Sequence, residues 1–267
     1  MGAEEEFVFW NGELSPVGEV KVSPSAEGLL YGFGCFETMG LSNGRIRFLS
    51  DHWDRISRAA ADMELECPDL RERLLDQVSQ LCKYNHCEEG IVRLSLHKNG
   101  RSTDVLLRVF ARTPSADESS FEVDLSRFPH SGPSPLSGWK HNNYLLNALA
   151  YREAVEMGLR ESILCRDGKL VEGSRSNVWV LREGVLWTPP VESGALPGVV
   201  RKRVLSSAAE MRVDVREGAI LAEDLEDCDG LFFSNAGMLF KAATRCGVHE
   251  FSPHLELVNR VNEVLLR

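Results

Sequence analysis

The sequence predicts an α+β fold in two domains, and three observations support this prediction. Short strand patterns recur along the chain around Asn-Gly, Asp-Gly and Glu-Gly turn signals, which favour two-residue β-hairpins. Only a few helical patterns interrupt them, and the strands are not separated by regular helical crossovers. The polar, turn-forming stretch from Thr113 to Ser120 predicts a boundary between domains at 1–114 and 115–267.

The first half alternates strands and helices. Hairpins are predicted at Asn11-Gly12, Asn43-Gly44 and Asn99-Gly100, and a helix is predicted around Asp51 to Glu64. A second helix starts at Asp69, where a D-x-x-E pattern predicts a capping box. The apolar residues of this second helix fall on one face: Leu70, Leu74, Val78 and Leu81.

The second half begins with a Pro/Ser/Gly-rich segment, Pro129 to Gly138, which leads into a helix from about Asn142 to Met157. Hairpins are predicted at Asp167-Gly168 and Glu183-Gly184. One further helix is predicted just after Gly198, and a last one is predicted at Ser252-Pro253, a cap residue followed by a good first residue.

Composition limits the class of protein. The formal net charge is −10, which disfavours nucleic acids and anionic membranes as partners. No apolar run approaches the roughly 18 residues that a spanning helix needs, and the start M-G-A-E-E-E-F does not have the features of a signal peptide. The 7 cysteines are odd in number and include no C-x-x-C, so neither a disulfide framework nor a metal site is expected. We therefore expect a cytoplasmic protein with reduced, mostly buried thiols.

Three motifs carry the chemistry. Lys140 lies in W-K-H-N-N-Y-L-L, Glu172 and Asn177 lie in V-E-G-S-R-S-N-V, and a helix opens at L-P-G-V-V-R, residues 196–201. Their order resembles that of the class IV aminotransferases, the fold-type IV pyridoxal-phosphate enzymes. The resemblance implies pyridoxal 5'-phosphate as cofactor and the architecture of the D-amino acid aminotransferases. That architecture has a small two-layer α/β N-terminal domain and a larger pseudo-barrel C-terminal domain.

The resemblance gives the first two motifs their roles. Lys140 is the lysine that binds the cofactor aldehyde, a reaction that needs a neutral amine and is therefore favoured by burial or a cationic neighbour. Glu172 is the partner of the pyridine nitrogen, where a carboxylate keeps the ring protonated. Asn177 supports the backbone near the ring. Tyr144 corresponds to a tyrosine that bonds the ring hydroxyl in branched-chain relatives.

The phosphate site is assigned in the same way. Gly198 permits close approach, and the N–H groups of Val199 and Val200 face an anion at a helix N-terminus. Val200 replaces a threonine that many relatives have, so one hydroxyl bond is missing. Arg55, in D-H-W-D-R-I, matches an arginine that contacts the phosphate, and His52 is read as structural.

Two further phosphate-binding residues follow an apolar strand. They are Ser234 and Asn235, which precede Ala236 in the triplet S-N-A. Arg175 is a departure, because the family has serine or threonine at that position.

The substrate side is less specific. Thr38, in F-E-T-M, faces the active site in relatives and is assigned a catalytic role. Arg93, Lys98 and Arg101 are the candidates for binding a substrate carboxylate. The sequence does not select among these three cations.

Two reactions fit the resemblance. The S-N-A triplet, the short chain and Thr38 favour 4-amino-4-deoxychorismate lyase, which forms 4-aminobenzoate and pyruvate for folate. The alternative is an aminotransferase that acts on branched-chain or D-amino acids with 2-oxoglutarate, and a remote alternative is a non-catalytic dimeric family member. The resemblance also implies a homodimer that acts on a small amino substrate.

Overall fold

The computed structural model describes residues 6–66, 69–112 and 121–267. They divide into two compact units. The first contains the described residues up to 112 together with Trp139–Asn143, and the second contains the described residues from 121 to Gly138 and Tyr144–Arg267. The predicted boundary at Thr113–Ser120 lies outside the described residues and stays a prediction. The segment with Lys140 belongs to the first unit, whereas the prediction assigned it to the second domain.

The first unit is built on a sheet with two packed helices. Its strands are β1 Phe7–Trp10, β2 Glu13–Pro16, β3 Gly34–Ser42, β4 Arg45–Ile46, β5 Gly90–Asn99 and β6 Ser102–Ala111. Within the described residues these strands have the order β2-β1-β6-β5-β3-β4, and neighbouring strands pair antiparallel. The helices are α1 Glu27–Leu30, α2 Leu49–Asp62 and α3 Leu70–Tyr84, and a 3-10 helix spans Val17–Glu19.

The core of this unit lies between the sheet and helices α2 and α3. The predicted apolar face of α3 is confirmed, since its four apolar residues are all buried: Leu70, Leu74, Val78 and Leu81. The hairpin turns are also confirmed. Asn11-Gly12 and Asn43-Gly44 have positive φ at both residues, the geometry that matches the twist of a tight hairpin.

The segment around Lys140 pairs with strand β3. The Phe36 amide donates to the Lys140 carbonyl at 2.8 Å, and the Asn142 amide donates to the Gly34 carbonyl at 2.9 Å. The Asn142 side chain donates to the Leu96 carbonyl at 3.1 Å. These bonds hold Lys140 in extended chain at the sheet.

The second unit contains two five-stranded sheets within its described residues. Their strand orders are β12-β11-β10-β13-β14 and β16-β15-β7-β8-β9. The strands are β7 Glu122–Leu125, β8 Glu161–Arg166, β9 Lys169–Gly173, β10 Asn177–Arg182, β11 Val185–Thr188, β12 Asp214–Glu217, β13 Gly230–Asn235, β14 Leu239–Ala242, β15 Arg245–Cys246 and β16 His249–Glu250. The predicted α+β class is confirmed, while the pseudo-barrel arrangement stays a prediction.

The helices of the second unit are α4 Leu145–Glu156, α5 Val199–Ser206, α6 Ala208–Met211 and α7 Leu255–Leu265, with 3-10 helices at Val191–Ser193 and Glu223–Asp227. A buried cluster between the sheets includes Val178, Val180 and Phe233. The hairpins at Asp167-Gly168 and Glu183-Gly184 have positive φ at both residues, as predicted.

Two helix starts and one helix cap differ from the prediction. Helix α4 begins at Leu145 and not at Asn142, because Asn142 is bound to β3 and β5. Helix α7 begins at Leu255, since the left-handed His254 bonds the Asp229 carbonyl at 2.7 Å. The capping box at Asp69 is wrong: Asp69 is left-handed, with φ of 60°, and makes no side-chain cap.

None of the helices in the described part of the chain combines the length and the apolar character needed to cross a bilayer. The cysteines within the described residues have free thiols, and Cys67 lies outside these residues.

Candidate active site

The backbone of one residue, Leu196, joins two of the motifs in the second unit. The Leu196 amide donates to Oε2 of Glu172 at 2.9 Å, and the Leu196 carbonyl accepts from Nδ2 of Asn177 at 2.8 Å. Both backbone polar groups of Leu196 are therefore bound by side chains of V-E-G-S-R-S-N. This contact fixes the L-P-G turn against the end of β9 and the start of β10.

The turn leads directly into helix α5. Gly198 is its N-cap residue and provides no side-chain cap, so the first amides of the helix have no intrahelical acceptor. A Cβ at Gly198 would lie 2.0 Å from Oδ1 of Asn177, which excludes every other residue type without a shift. The side chains of Val199 and Val200 are buried, so both residues present only backbone donors at this helix end.

A buried carboxylate shapes the loop between Glu172 and Asn177. Glu161 is 2 % exposed and accepts bonds from the amide of Ser174 at 3.0 Å and the hydroxyl of Ser176 at 2.7 Å. It also accepts from the Ser174 hydroxyl and from the amides of Ser162 and Arg175. Both serines of the motif, Ser174 and Ser176, therefore hold the loop in place through Glu161.

Glu172 has two further neighbours at its other oxygen. Nδ2 of Asn147 lies 3.4 Å from Oε1, and Nε2 of His130 lies 3.7 Å from the same atom. Asn147 also donates to the Ser174 carbonyl at 3.2 Å, and the Tyr144 hydroxyl donates to that carbonyl at 3.0 Å. Tyr144 is thus near Glu172 in this unit, and its role at the ring hydroxyl stays a prediction.

The S-N-A triplet ends strand β13 beside Asn177. Ser234 pairs with Asn177 across the sheet, is buried, and accepts the indole N–H of Trp179 at 2.9 Å. Oδ1 of Asn235 accepts the amides of Gly237 and Met238, both at 2.9 Å. The Asn235 side chain therefore caps its own turn.

Lys140 shares an aromatic ring with an arginine in the first unit. The Lys140 ammonium lies 4.7 Å from the centroid of Phe36, and the Arg93 guanidinium carbon lies 3.5 Å from it. Arg93 also donates to the Thr38 hydroxyl at 3.2 Å, its partner across β3 and β5. The structure brings Lys140, Thr38 and Arg93 together around one buried phenylalanine.

The other two substrate candidates lie elsewhere on that unit. The Lys98 ammonium donates to the Glu64 carbonyl at 3.0 Å, and Arg101 is exposed beside the Asn99-Gly100 turn. Geometry favours Arg93 among the three cations.

Arg55 is held by a glutamate of the F-E-T-M motif. Nε and Nη2 of Arg55 donate to the two oxygens of Glu37 at 2.6 and 2.7 Å, and Nδ1 of His52 lies 2.7 Å from the same carboxylate. Burial opposes ionisation of Glu37, but Arg55 and His52 outweigh it and lower the pKa to about 2. The structural reading of His52 agrees with this contact. The phosphate role of Arg55 stays a prediction.

The family model for class IV amino-transferases matches residues 34–246, which includes all of these residues. The chain belongs to this family. It is therefore a pyridoxal-phosphate-dependent enzyme, either an aminotransferase or a lyase of class IV.

Relatives with different reactions resemble this class IV chain to a similar degree. The D-alanine aminotransferase of Bacillus licheniformis is 26% identical over 238 residues, covering 85% of this chain and 84% of the relative. The aminodeoxychorismate lyase of Bacillus subtilis is 27% identical over 242 residues, covering 86% and 83%. The branched-chain aminotransferase of Thermoproteus uzoniensis, solved with norvaline, superposes with a TM-score of 0.86 at 26% identity, covering 98% of this chain and 95% of that one.

The residues of the second unit fit pyridoxal phosphate by the chemistry of their donors. A carboxylate suits a protonated ring nitrogen, and Glu172 supplies one that is buried and held in place. A phosphate suits the N-terminus of a helix, and α5 starts at a glycine whose Cβ position is already filled by Asn177.

Reasoning from the sequence did not single out three buried residues that contact the motifs of their own unit: Glu37, His130 and Glu161. The two glutamates had a signal in the sequence, because each is a carboxylate in a strand with several apolar residues. His130 had a weaker signal, a histidine in a Pro/Gly loop. Its contact with Glu172 spans 42 positions in the sequence and needs the fold.

We predict that Gly198→Ala disturbs the Leu196 contact. The new Cβ would displace the Asn177 amide and break its bond to the Leu196 carbonyl, at a cost of about 1–3 kcal/mol in the free energy of unfolding. Chemical denaturation and cofactor titration measure the two expected losses. Gly18→Ala is the control, because a Cβ there meets nothing within 4 Å. Equal free energies of unfolding and equal cofactor affinities in the two variants would contradict the prediction.

We predict that the Glu37 carboxylate stabilises the fold at neutral pH and that this stabilisation is lost in acid. Its pKa is lowered from 4.5 to about 2, so its contribution of about 3 kcal/mol is complete above pH 4.5 and is lost as the pH falls towards 2. The difference in the free energy of unfolding between wild type and Glu37→Gln should shrink over that range. The exposed Glu72→Gln serves as control. A difference that stays constant with pH would show that the Glu37 charge has no such role.

Proposed function

We propose that this class IV enzyme is a 4-amino-4-deoxychorismate lyase that forms 4-aminobenzoate and pyruvate for folate synthesis. The observation that carries the proposal is the group of Lys140, Thr38 and Arg93 around Phe36. It offers a base, a hydroxyl and a permanent cation, which suits elimination from an amino substrate that carries two carboxylates. The S-N-A turn at Ser234 and Asn235 supports the same reaction.

The elimination balances without a second substrate. A proton leaves the amine-bearing carbon of the ring, the bond to the enolpyruvyl oxygen breaks, and the ring becomes aromatic. The leaving group takes up a proton at carbon and becomes pyruvate. No oxidant or reductant is needed, so the enzyme returns to its starting state after each turnover.

The proposed catalytic residues are Lys140, Glu172 and Thr38. Pyridoxal phosphate supplies an electron sink for charge that develops beside the amino nitrogen. The Lys140 amine would hold the cofactor aldehyde and would accept the proton that leaves the ring carbon of the substrate. Arg93 lies over the same phenylalanine as that amine, with its guanidinium carbon 3.5 Å from the ring centroid.

The remaining residues position the cofactor. We assign Glu172 to the pyridine nitrogen, with Asn177 holding the adjacent peptide and Tyr144 near the ring hydroxyl. The phosphate is assigned to the donors Arg55, Gly198, Val199, Val200, Ser234 and Asn235. Arg55 is oriented for this task by Glu37, which binds it through two nitrogens.

Arg93 is the proposed partner of a substrate carboxylate. It is half-buried on the central strand β5 and bonded to Thr38, whereas Lys98 caps a carbonyl and Arg101 is exposed. A cation in a partly desolvated place binds a carboxylate more strongly than one in water. Lys98 and Arg101 remain secondary candidates.

The second candidate is an aminotransferase that acts on branched-chain or D-amino acids with 2-oxoglutarate. The same Arg93 favours it, because one cation could also bind the side-chain carboxylate of the dicarboxylic partner. Relatives of both kinds are similar to this chain. The two reactions differ in their need for an oxo acid.

We predict multiple turnovers with 4-amino-4-deoxychorismate alone. The protein should release pyruvate and 4-aminobenzoate in equal amounts without 2-oxoglutarate, because elimination needs no acceptor. Coupled assay of pyruvate measures this. A transaminase would stop after one half-reaction. Turnover that requires 2-oxoglutarate and proceeds with leucine, valine or a D-amino acid would replace the lyase with the second candidate.

Two variants serve as controls for this assay. Lys140→Ala should release no pyruvate, and borohydride should not fix cofactor covalently to it. Arg93→Gln should retain cofactor and raise KM, with Arg58→Gln, at an exposed arginine of α2, as its matched surface control. Cofactor fixed to Lys140→Ala would contradict the assignment of Lys140.

We also propose a homodimer. Large apolar side chains are exposed in a single stretch of the first unit, including Leu29 at 59%, Leu30 at 54% and Tyr31 at 69%. Such a group favours burial against a second copy of the chain. We predict a dimeric mass by light scattering and a lower mass for Leu30→Glu/Tyr31→Glu. A fully active monomer would contradict this proposal.

A further inference from the structure

A histidine ring lies beside Glu172 in a loop that precedes Lys140 in the sequence. Nε2 of His130 is 3.7 Å from Oε1 of Glu172, and His130 is 8% exposed. This separation exceeds that of a normal hydrogen bond, so the contact is an electrostatic one between a ring N–H and a carboxylate. Within a buried site such a contact is screened weakly.

The backbone fixes which ring nitrogen carries the hydrogen. The Gly132 amide donates to Nδ1 of His130 at 2.9 Å, so that nitrogen is an acceptor. In the neutral ring the hydrogen is then on Nε2, the atom that faces Glu172. The loop therefore presents a donor to the carboxylate.

The ring is also fixed in position. The His130 amide donates to the Cys165 carbonyl at 2.8 Å. A Cβ on Gly194 would lie 2.9 Å from Cε1 of His130, so this ring packs directly on the turn that leads to Leu196. Arg166 approaches the loop at the carbonyls of His130 and Ser131. The ring nitrogens are left to Gly132 and Glu172.

We propose that His130 is a positioning residue for Glu172. The Leu196 amide fixes Oε2, and the His130 N–H and the Asn147 amide act on Oε1. Donors at both oxygens hold the carboxylate in one orientation. The inference rests on the proposed role of Glu172 as partner of the pyridine nitrogen.

We expect the contact between His130 and Glu172 to increase the affinity for the cofactor. His130→Asn keeps an acceptor for the Gly132 amide but does not reach Glu172, whereas His130→Gln reaches it with an N–H donor. His130→Phe keeps the volume of the ring and removes both nitrogens. We expect the Asn and Phe variants to weaken binding of pyridoxal phosphate about fivefold to tenfold, which lies within the range for loss of one ordinary hydrogen bond. We expect the Gln variant to stay within about twofold of wild type.

A double-mutant cycle separates positioning from packing. Each His130 variant is made in wild type and in Glu172→Gln, and the cofactor dissociation constant is measured by quenching of tryptophan fluorescence. The thermal midpoint of each cofactor-free protein reports its fold. In the Glu172→Gln background the Asn and Phe variants should have no further effect, because the charge on which His130 acts is absent.

Each result decides between the two roles. The same loss in both backgrounds, or unchanged binding in the Asn and Phe variants, would reduce His130 to packing and overturn the inference. Unchanged binding in Glu172→Gln alone would remove Glu172 from the ring nitrogen, and the inference would fall with it. Weaker cofactor binding in Glu172→Gln, together with unchanged binding in the His130 variants, would leave the role of Glu172 intact and overturn only the inference.

Discussion

The candidate site in the second unit depends on the backbone of Leu196. Its N–H and its carbonyl are bound by Glu172 and Asn177, which end one strand and begin the next. Gly198 follows two residues later and fits against Asn177 only because it has no Cβ. A carboxylate and a helix N-terminus are thereby set at a fixed separation along a rigid connection. That connection suits a ligand with a basic ring nitrogen at one end and a phosphate at the other.

Three buried carboxylates of this enzyme are stabilised in different ways. Glu37 is bound by an arginine and a histidine. Glu161 is bound by backbone amides and serine hydroxyls, donors without charge. Glu172 has one amide at short range and weaker neighbours at its other oxygen, so it keeps the greatest capacity for a new partner. This order separates the two structural carboxylates from the one that we assign to the cofactor.

Local signals predicted the local structure. Asn-Gly and Asp-Gly turns and the apolar face of α3 were predicted correctly, because each depends on residues within a few positions. The start of α4 was wrong, since Asn142 bonds Leu96, 46 positions away. The family motifs supplied Glu172, Asn177 and Gly198, but Glu161 and His130 act through contacts that no spacing reveals. Only the structure distinguishes Arg93 from Lys98 and Arg101, because it places Arg93 and Lys140 over the same ring, that of Phe36.

The first unit includes a segment from a later part of the chain, and this segment carries Lys140. Residues Trp139–Asn143 belong to it, although the described residues between 121 and Gly138 belong to the other unit. During synthesis, the Phe36 amide and the Gly34 carbonyl cannot form their hydrogen bonds to this segment until Lys140 and Asn142 have left the ribosome. The sheet therefore cannot complete its pairing from residues 6–112 alone. The backbone bonds that complete this pairing are the same ones that place Lys140 beside Phe36.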